Sequence, residues 1–277
     1  MGRRDRFCGF RSRVISSVQS IDLLGADDPA PVVAENTGAG SPFLLVCDHA
    51  GRLTPRRLGR LGLPDAAFET HIAWDIGALD LARRLSGVLD ACLIHQRYSR
   101  LVIDCNRDPG HEQSIVTMSD GWPIPANATL DPADAAARRQ AVFDPYHARI
   151  AAELDTRRAR GQDTLLLLIH SFTPAMGGVA RPWHVGVLHL GGSPASTAML
   201  ALLRAEPDLV VGDNEPYAMD GTDYTAPFHA HRRGCDAVEL EVRQDLLQDP
   251  ASAERMAALL IRLIPRLVDS AREGETV

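Results

Sequence analysis

The sequence predicts an α/β fold built on a largely parallel sheet with helices on both faces. Short apolar runs such as Phe43–Cys47 and Thr164–Ile169 show no polar alternation, as expected of strands covered on both sides. Helical patterns lie between such runs, which calls for right-handed crossovers between parallel neighbours. The chain has 277 residues, 45% hydrophobic and 23% charged, enough to bury one sizeable core.

The first forty residues carry loop signals in Asp27-Asp28-Pro29, Pro31 and Gly38-Ala39-Gly40, so they are expected to form an irregular extension (1–40) ahead of a single α/β domain (41–277). Phe43–Cys47 reads as the first strand and runs directly into Asp48-His49-Ala50-Gly51. A helix is expected from Ile72 to Leu85, with Arg83 and Arg84 in its last turn where cations suit the dipole. Ala91–His95 and Leu101–Cys105 read as two further strands, the second ending in Asn106-Arg107-Asp108. Asp131–Arg160 should form two helices interrupted at Asp144-Pro145. Thr164–Ile169 is the strongest strand pattern and delivers His170-Ser171-Phe172 at its end. Strands at His184–Leu190, Leu209–Gly212 and Ala237–Val242, with helices at Ser196–Ala205 and Ala251–Val268, complete the pattern.

The formal net charge of -7 disfavours nucleic-acid binding, which needs a basic surface to release phosphate counterions. A small-molecule partner is the expectation. Cys8, Cys47, Cys92, Cys105 and Cys235 are odd in number and scattered, without a C-x-x-C pair, so neither a disulfide framework nor a cysteine zinc site is predicted. No apolar stretch reaches the roughly 18 residues of a membrane helix. The basic N-terminus, from Arg3 to Arg13, has no apolar core behind it, which predicts a cytoplasmic protein with no membrane partner.

In open α/β sheets ligands bind beyond the carboxyl ends of the strands. Asp48-His49, His71 with Asp75, His170, and Glu239 with Glu241 all fall at such junctions and can meet on one rim. A catalytic zinc takes three imidazole or carboxylate ligands and keeps a position open for water, which a nearby carboxylate can deprotonate. His71 and Asp75 are spaced to share a helix face, one as a ligand and the other orienting it. Arg100 and Arg107 offer guanidinium forks for a substrate carboxylate, or else pair with Asp104 or Asp108 to pin their loop. Ser171 follows His170, but no G-x-S-x-G elbow supports a serine hydrolase.

Several blocks in order resemble the N-formylglutamate amidohydrolase family. They are Cys47-Asp48-His49-Ala50-Gly51, Trp74-Asp75-Ile76-Gly77-Ala78, Ser99-Arg100-Leu101-Val102-Ile103-Asp104-Cys105-Asn106-Arg107, Tyr146-His147, Ile169-His170-Ser171-Phe172, Asn214-Glu215-Pro216-Tyr217 and Glu239-Leu240-Glu241-Val242-Arg243-Gln244-Asp245. The resemblance spans roughly Ser41 to Ile264. It implies a mixed, mostly parallel sheet of the zinc-exopeptidase kind, and hydrolysis of an N-acyl amino acid such as N-formylglutamate to formate and the free amino acid. Such a reaction belongs to amino-acid catabolism, histidine degradation in particular.

The same resemblance implies one divalent ion, zinc in the first instance, on His49, Asp75 and His170. Zinc carboxypeptidases take their acidic ligand three residues after the first histidine, where this chain has Arg52, so Asp48 and His71 stay open beside Asp75 as the third ligand. Glu241 resembles the general base, with Glu239 the competing choice. Arg100 is a candidate for holding the oxyanion, Asn106 and Arg107 for gripping a substrate carboxylate, and His147 and His229 for orienting substrate. A hydrolase of another N-acyl amino acid or small peptide is the alternative. So is a metal-free carboxylate-binding module, which the missing acid at Arg52 would suit.

Overall fold

The computed structural model describes residues 22–268, centred on a seven-stranded sheet. In chain order come β1 (Val32–Glu35), β2 (Phe43–Cys47), α1 (Ala78–Leu89), β3 (Cys92–Gln96), β4 (Met118–Ser119), β5 (Trp122–Pro123), α2 (Pro125–Ala128), α3 (Pro132–Arg138) and α4 (Asp144–Ala159). The second half adds β6 (Leu165–Phe172), β7 (Ala175–Met176), β8 (Val179–Ala180), β9 (Val185–Leu188), α5 (Pro194–Arg204), β10 (Val211–Asp213), α6 (Thr225–His229), β11 (Asp236–Arg243), α7 (Asp245–Gln248) and α8 (Pro250–Leu263). The sheet runs β1-β3-β2-β6-β11-β9-β10, and β4–β5 and β7–β8 form two separate hairpins. β2 is parallel to β3 and β6, β6 to β11, and β9 to β10, while β1–β3 and β9–β11 are antiparallel. The sheet is therefore mixed and mostly parallel.

Side-chain alternation sorts the two layers. Leu45, Leu93, Leu167, Ile169, Val238 and Leu240 face a cluster with Leu81 and Leu85 of α1, Met199 and Leu203 of α5, and Leu260 of α8. Leu44, Ile94, Leu166 and Leu168 face the other way, onto Ile150 and Leu154 of α4. Continuing that second face toward the strand ends replaces leucine with His170 on β6 and with Glu239 and Glu241 on β11. The register sets Glu241 opposite His170. Polar residues thus occupy positions the pattern reserves for a core.

Four expectations need correction. Val32–Glu35, within the stretch expected to be irregular, is an edge strand bonded to β3; its short β-branched run is flanked by turn residues that hide it from pattern reading. Leu101–Cys105 is buried but not a strand, because its carbonyls accept from side chains rather than from a neighbouring strand: Asn127 on Leu101, Arg138 on Val102 and His147 on Cys105. The helix expected from Ile72 begins only at Ala78. Its N-cap Gly77 has φ 82, and His71 and Asp75 lie in the turns before it rather than on one helix face. Asp144-Pro145 does not break the chain. The helical run continues through a π-helical turn over Arg139–Phe143 into α4, and Pro145, which has no N–H to give, follows directly on that wider turn.

Cys47, Cys92 and Cys105 are buried free thiols as expected, Cys235 is half-buried, and Cys8 lies outside the described residues, as do Arg3 to Arg13. Among the described residues no helix is long and apolar enough to cross a membrane.

Candidate active site

A cavity of about 400 Å³ opens at the carboxyl ends of the central strands, bordered by His49, Asp75, Arg100, His170, Glu239 and Glu241 among others. Each arrives by a separate backbone device. His49 follows β2 by two residues, in a segment that crosses close over the turn after β3. There Gly51 is required, since a Cβ would sit 2.0 Å from the Arg97 carbonyl oxygen. The Asp75 amide donates to the His49 carbonyl (2.9 Å), which sets the two residues side by side. His170, Glu239 and Glu241 come from the rigid centre of the sheet.

The two imidazoles are oriented by buried carboxylates in the same way. His49 Nε2 lies 2.7 Å from Asp104 Oδ1, and His170 Nε2 lies 3.0 Å from Asp48 Oδ2. The remaining nitrogens converge on one atom: His170 Nδ1 is 2.9 Å and His49 Nδ1 3.4 Å from Asp75 Oδ2. His49 Nδ1 is buried and makes no hydrogen bond. One donor atom each from His49, Asp75 and His170 lies within 4.8 Å of the others, so this buried group can hold a metal ion. Carboxylates on the far nitrogens are the usual partners of metal-binding histidines, fixing tautomer and ring direction.

Electrostatics follow from burial and these contacts. Burial opposes a charge on His170, yet its bonds to Asp48 and Asp75 reverse that effect and hold its pKa well above the ordinary value. His49 is likewise raised, burial and Arg100 being outweighed by Asp104 and Asp75. Burial works upward on Asp104 too, but Arg100 and His49 keep it well below the usual carboxylate range. Glu239 and Glu241 have less to offset burial, and both are pushed up to about 8. One oxygen of each, Oε2, is buried without a partner.

The other expected residues divide into those on the cavity and those behind it. Arg100 borders it but is committed to Asp104, through Nε at 3.0 Å and a second nitrogen at 2.6 Å, the loop-pinning alternative. Arg107 also borders it, paired with Asp223 rather than with Asp108. Asn106 accepts from the Thr225 amide (2.9 Å) and directs its Nδ2 toward Glu239 at 3.5 Å. His71 stands at the cavity edge 3.2 Å from Asp120, outside the metal-competent group, and Asp48 is turned to the far side of His170. Arg52 pairs with Glu69 and lies over Trp74.

His147 and His229, expected to orient substrate, do not border the cavity. They form a buried pair with 2.9 Å between His147 Nδ1 and His229 Nε2. His147 Nε2 must donate to the Cys105 carbonyl (2.9 Å), so its Nδ1 accepts from His229. Burial keeps both neutral, lowering His147 to about 4 and His229 to about 3. Ser171 Oγ donates to the Ile76 carbonyl (2.8 Å) rather than to a histidine, which leaves no serine nucleophile.

Sequence reading passed over Asp104 as an orienting residue, naming it only as an arginine partner; its place two residues before Asn106-Arg107 was the available signal. Thr225, which opens the short helix α6 and donates to Asp48 Oδ1 (2.9 Å), and Tyr217, in the irregular segment on the cavity wall, have no periodic pattern that would mark them.

The sequence profile of a family described as N-formylglutamate amidohydrolase matches residues 41–248. No curated protein matches the sequence. Among solved structures, a gene product of Agrobacterium tumefaciens is 36% identical and superposes with a TM-score of 0.87, over 90% of this chain and 99% of the other. An N-formylglutamate amidohydrolase from Ralstonia eutropha shares 18% identity and the fold, with a TM-score of 0.69 over 89% of this chain and 100% of the other.

Proposed function

Given that the chain belongs to the N-formylglutamate amidohydrolase family, we propose that it is a metal-dependent amidohydrolase. It would cleave the amide bond of an acidic N-formyl amino acid, N-formylglutamate first, giving formate and the free amino acid. The observation that carries this reading is the convergence of two imidazole Nδ1 atoms on Asp75, with carboxylates behind both rings and Glu241 in the same cavity.

The donor set suits one divalent ion. Two imidazoles and a carboxylate are what a catalytic zinc takes, and the unbonded His49 Nδ1 is a buried atom in want of a partner. His49, Asp75 and His170 would hold the ion. When bound, zinc supplies Lewis acidity toward a carbonyl oxygen and lowers the pKa of water.

The chain's own residues supply the rest. Glu241 faces the cavity with a free Oε2, placed to take a proton from the attacking water and return it to the departing amine. The water oxygen adds to the formyl carbon, the carbon–nitrogen bond breaks, and the proton moved by Glu241 leaves on the nitrogen, so no oxidant or further reactant is needed. Arg100, held at the rim by Asp104, is placed beside the developing oxyanion. Asn106 and Arg107 are placed to grip a substrate carboxylate, Arg107 sharing its fork with Asp223.

Glutamate release from N-formyl-, N-acetyl- and N-succinylglutamate, with metal content measured on the same sample, tests the reading. It expects about one divalent ion per chain and fastest turnover of the formyl compound. Equal glutamate binding with and without metal, and no hydrolysis of any of the three, would replace it with a carboxylate-binding module.

A further inference from the structure

Both guanidinium groups that border this cavity are already neutralised. Arg100 is paired with Asp104 and lies 3.7 Å from Asp75, and Arg107 is paired with Asp223. Arg181 is different. Its guanidinium donates to the Tyr217 hydroxyl (2.8 Å) and to the Met176 sulfur (2.9 Å), and its central carbon lies 4.6 Å from the Tyr217 ring and 5.9 Å from that of Phe172. Tyr217, Met176 and Phe172 all border the cavity. Arg181 therefore stands directly behind three wall residues, and it is the one guanidinium at or behind that wall with no carboxylate partner among the described residues. Its field reaches inward, opposing in small part the burial that pushes Glu241 up and adding to the burial that pushes His71 down.

The backbone fixes where this charge sits. Arg181 follows the β7–β8 hairpin; its amide donates to the Pro174 carbonyl (2.8 Å), and its own carbonyl accepts from Arg243 (3.3 Å). The base of the hairpin is thereby tied to the end of β11, and the side chain is only half-buried. A thioether and a phenol are weak, neutral acceptors for a guanidinium, whereas a carboxylate forms shorter, charge-assisted bonds with it. An anion entering from the cavity would displace the sulfur and keep the phenol as a second donor.

The geometry points to Arg181, with Tyr217, as the grip for a second carboxylate on the substrate, the one carried by its side chain. The inference rests on the proposed reaction and deepens it: Asn106 and Arg107 hold one acid group, and Arg181 selects substrates that bear another. Glutamate and aspartate derivatives meet that requirement, while their amides do not.

The test compares kcat/KM for N-formylglutamate with that for the isosteric N-formylglutamine, in the metal-loaded wild type, Arg181→Met and Arg181→Lys. The expected result is a fall of roughly 10- to 100-fold in the glutamate-to-glutamine ratio for Arg181→Met, carried mainly by KM, as for loss of one charged hydrogen-bonded contact. Arg181→Lys should recover part of it. An unchanged ratio in Arg181→Met overturns the inference, even where absolute rates fall. Calorimetric binding of free L-glutamate against L-glutamine to the same proteins separates the two claims. If the wild type hydrolyses neither formyl compound, the proposed reaction fails. The grip then stands if Arg181→Met selectively loses glutamate binding, and falls if it does not.

Discussion

At the scale of single residues, the site is decided by what occupies the far side of each imidazole. Asp104 on His49 and Asp48 on His170 leave both Nδ1 atoms directed at Asp75, so residues outside the metal-competent group support its geometry. Asp104→Asn should accordingly weaken zinc affinity by roughly 10–100-fold while the fold survives, measured by competition with a chromophoric chelator. Affinity equal to that of the wild type would mean that His49 needs no orienting partner. Glu241→Gln should retain the metal and lose turnover by roughly 10²–10⁴-fold. Near-normal formate release in that variant would transfer the role to Glu239, which shares the strand face and is also pushed up to about 8 by burial. That His49, His170 and Glu241 share one cavity was legible in the sequence, because each lies at or near the end of a strand-like run. The contacts of Asp104 and Arg181 were not, since they depend on which side chain arrives from a distant loop.

At the scale of elements, β2, β3 and β6 could be read from short apolar runs, because strands covered on both faces carry little else, and β11 from apolar residues alternating with Glu239 and Glu241. The same rule misread Leu101–Cys105, where an equally apolar run is buried by loops and its carbonyls are claimed by Asn127, Arg138 and His147. The late start of α1 matters more for function. Gly77 ends the turn that carries Asp75, and only glycine is at ease there: φ is 82, and a Cβ would stand 2.5 Å from the Leu247 Cβ. Gly77→Ala should destabilise the protein by about 1 kcal/mol or more and also weaken metal binding, because the strain falls two residues from Asp75. A urea midpoint and a zinc titration on the same variant check both, and unchanged zinc affinity would show that the turn does not position Asp75.

Across the whole molecule, the seven-stranded sheet carries one apolar layer on each face, and the second layer gives way to the cavity at His170, Glu239 and Glu241. Behind that cavity lies the neutral His147–His229 pair, whose pKa values fall from the ordinary 6.5 to about 4 and about 3 on burial. Because the folded values lie below the unfolded one, the unfolded chain takes up protons first as the medium is acidified. The stability tied to this pair is complete above pH 6.5 and is lost as pH falls toward 4 and then 3. Urea midpoints between pH 7 and pH 4 should therefore drop more steeply in the wild type than in a His147→Gln, His229→Gln double variant. Parallel slopes would place the acid sensitivity elsewhere, among the buried carboxylates.

The proposed chemistry requires His49, Asp75 and His170 to hold one divalent ion. Anomalous diffraction at the zinc edge, from crystals of the full chain grown with zinc, tests it most directly. A single strong peak is expected, bounded by His49 Nδ1, His170 Nδ1 and the Asp75 carboxylate, and absent from crystals of His170→Ala. A zinc-loaded protein with its peak away from these three side chains, or a peak that survives intact in His170→Ala, would contradict it.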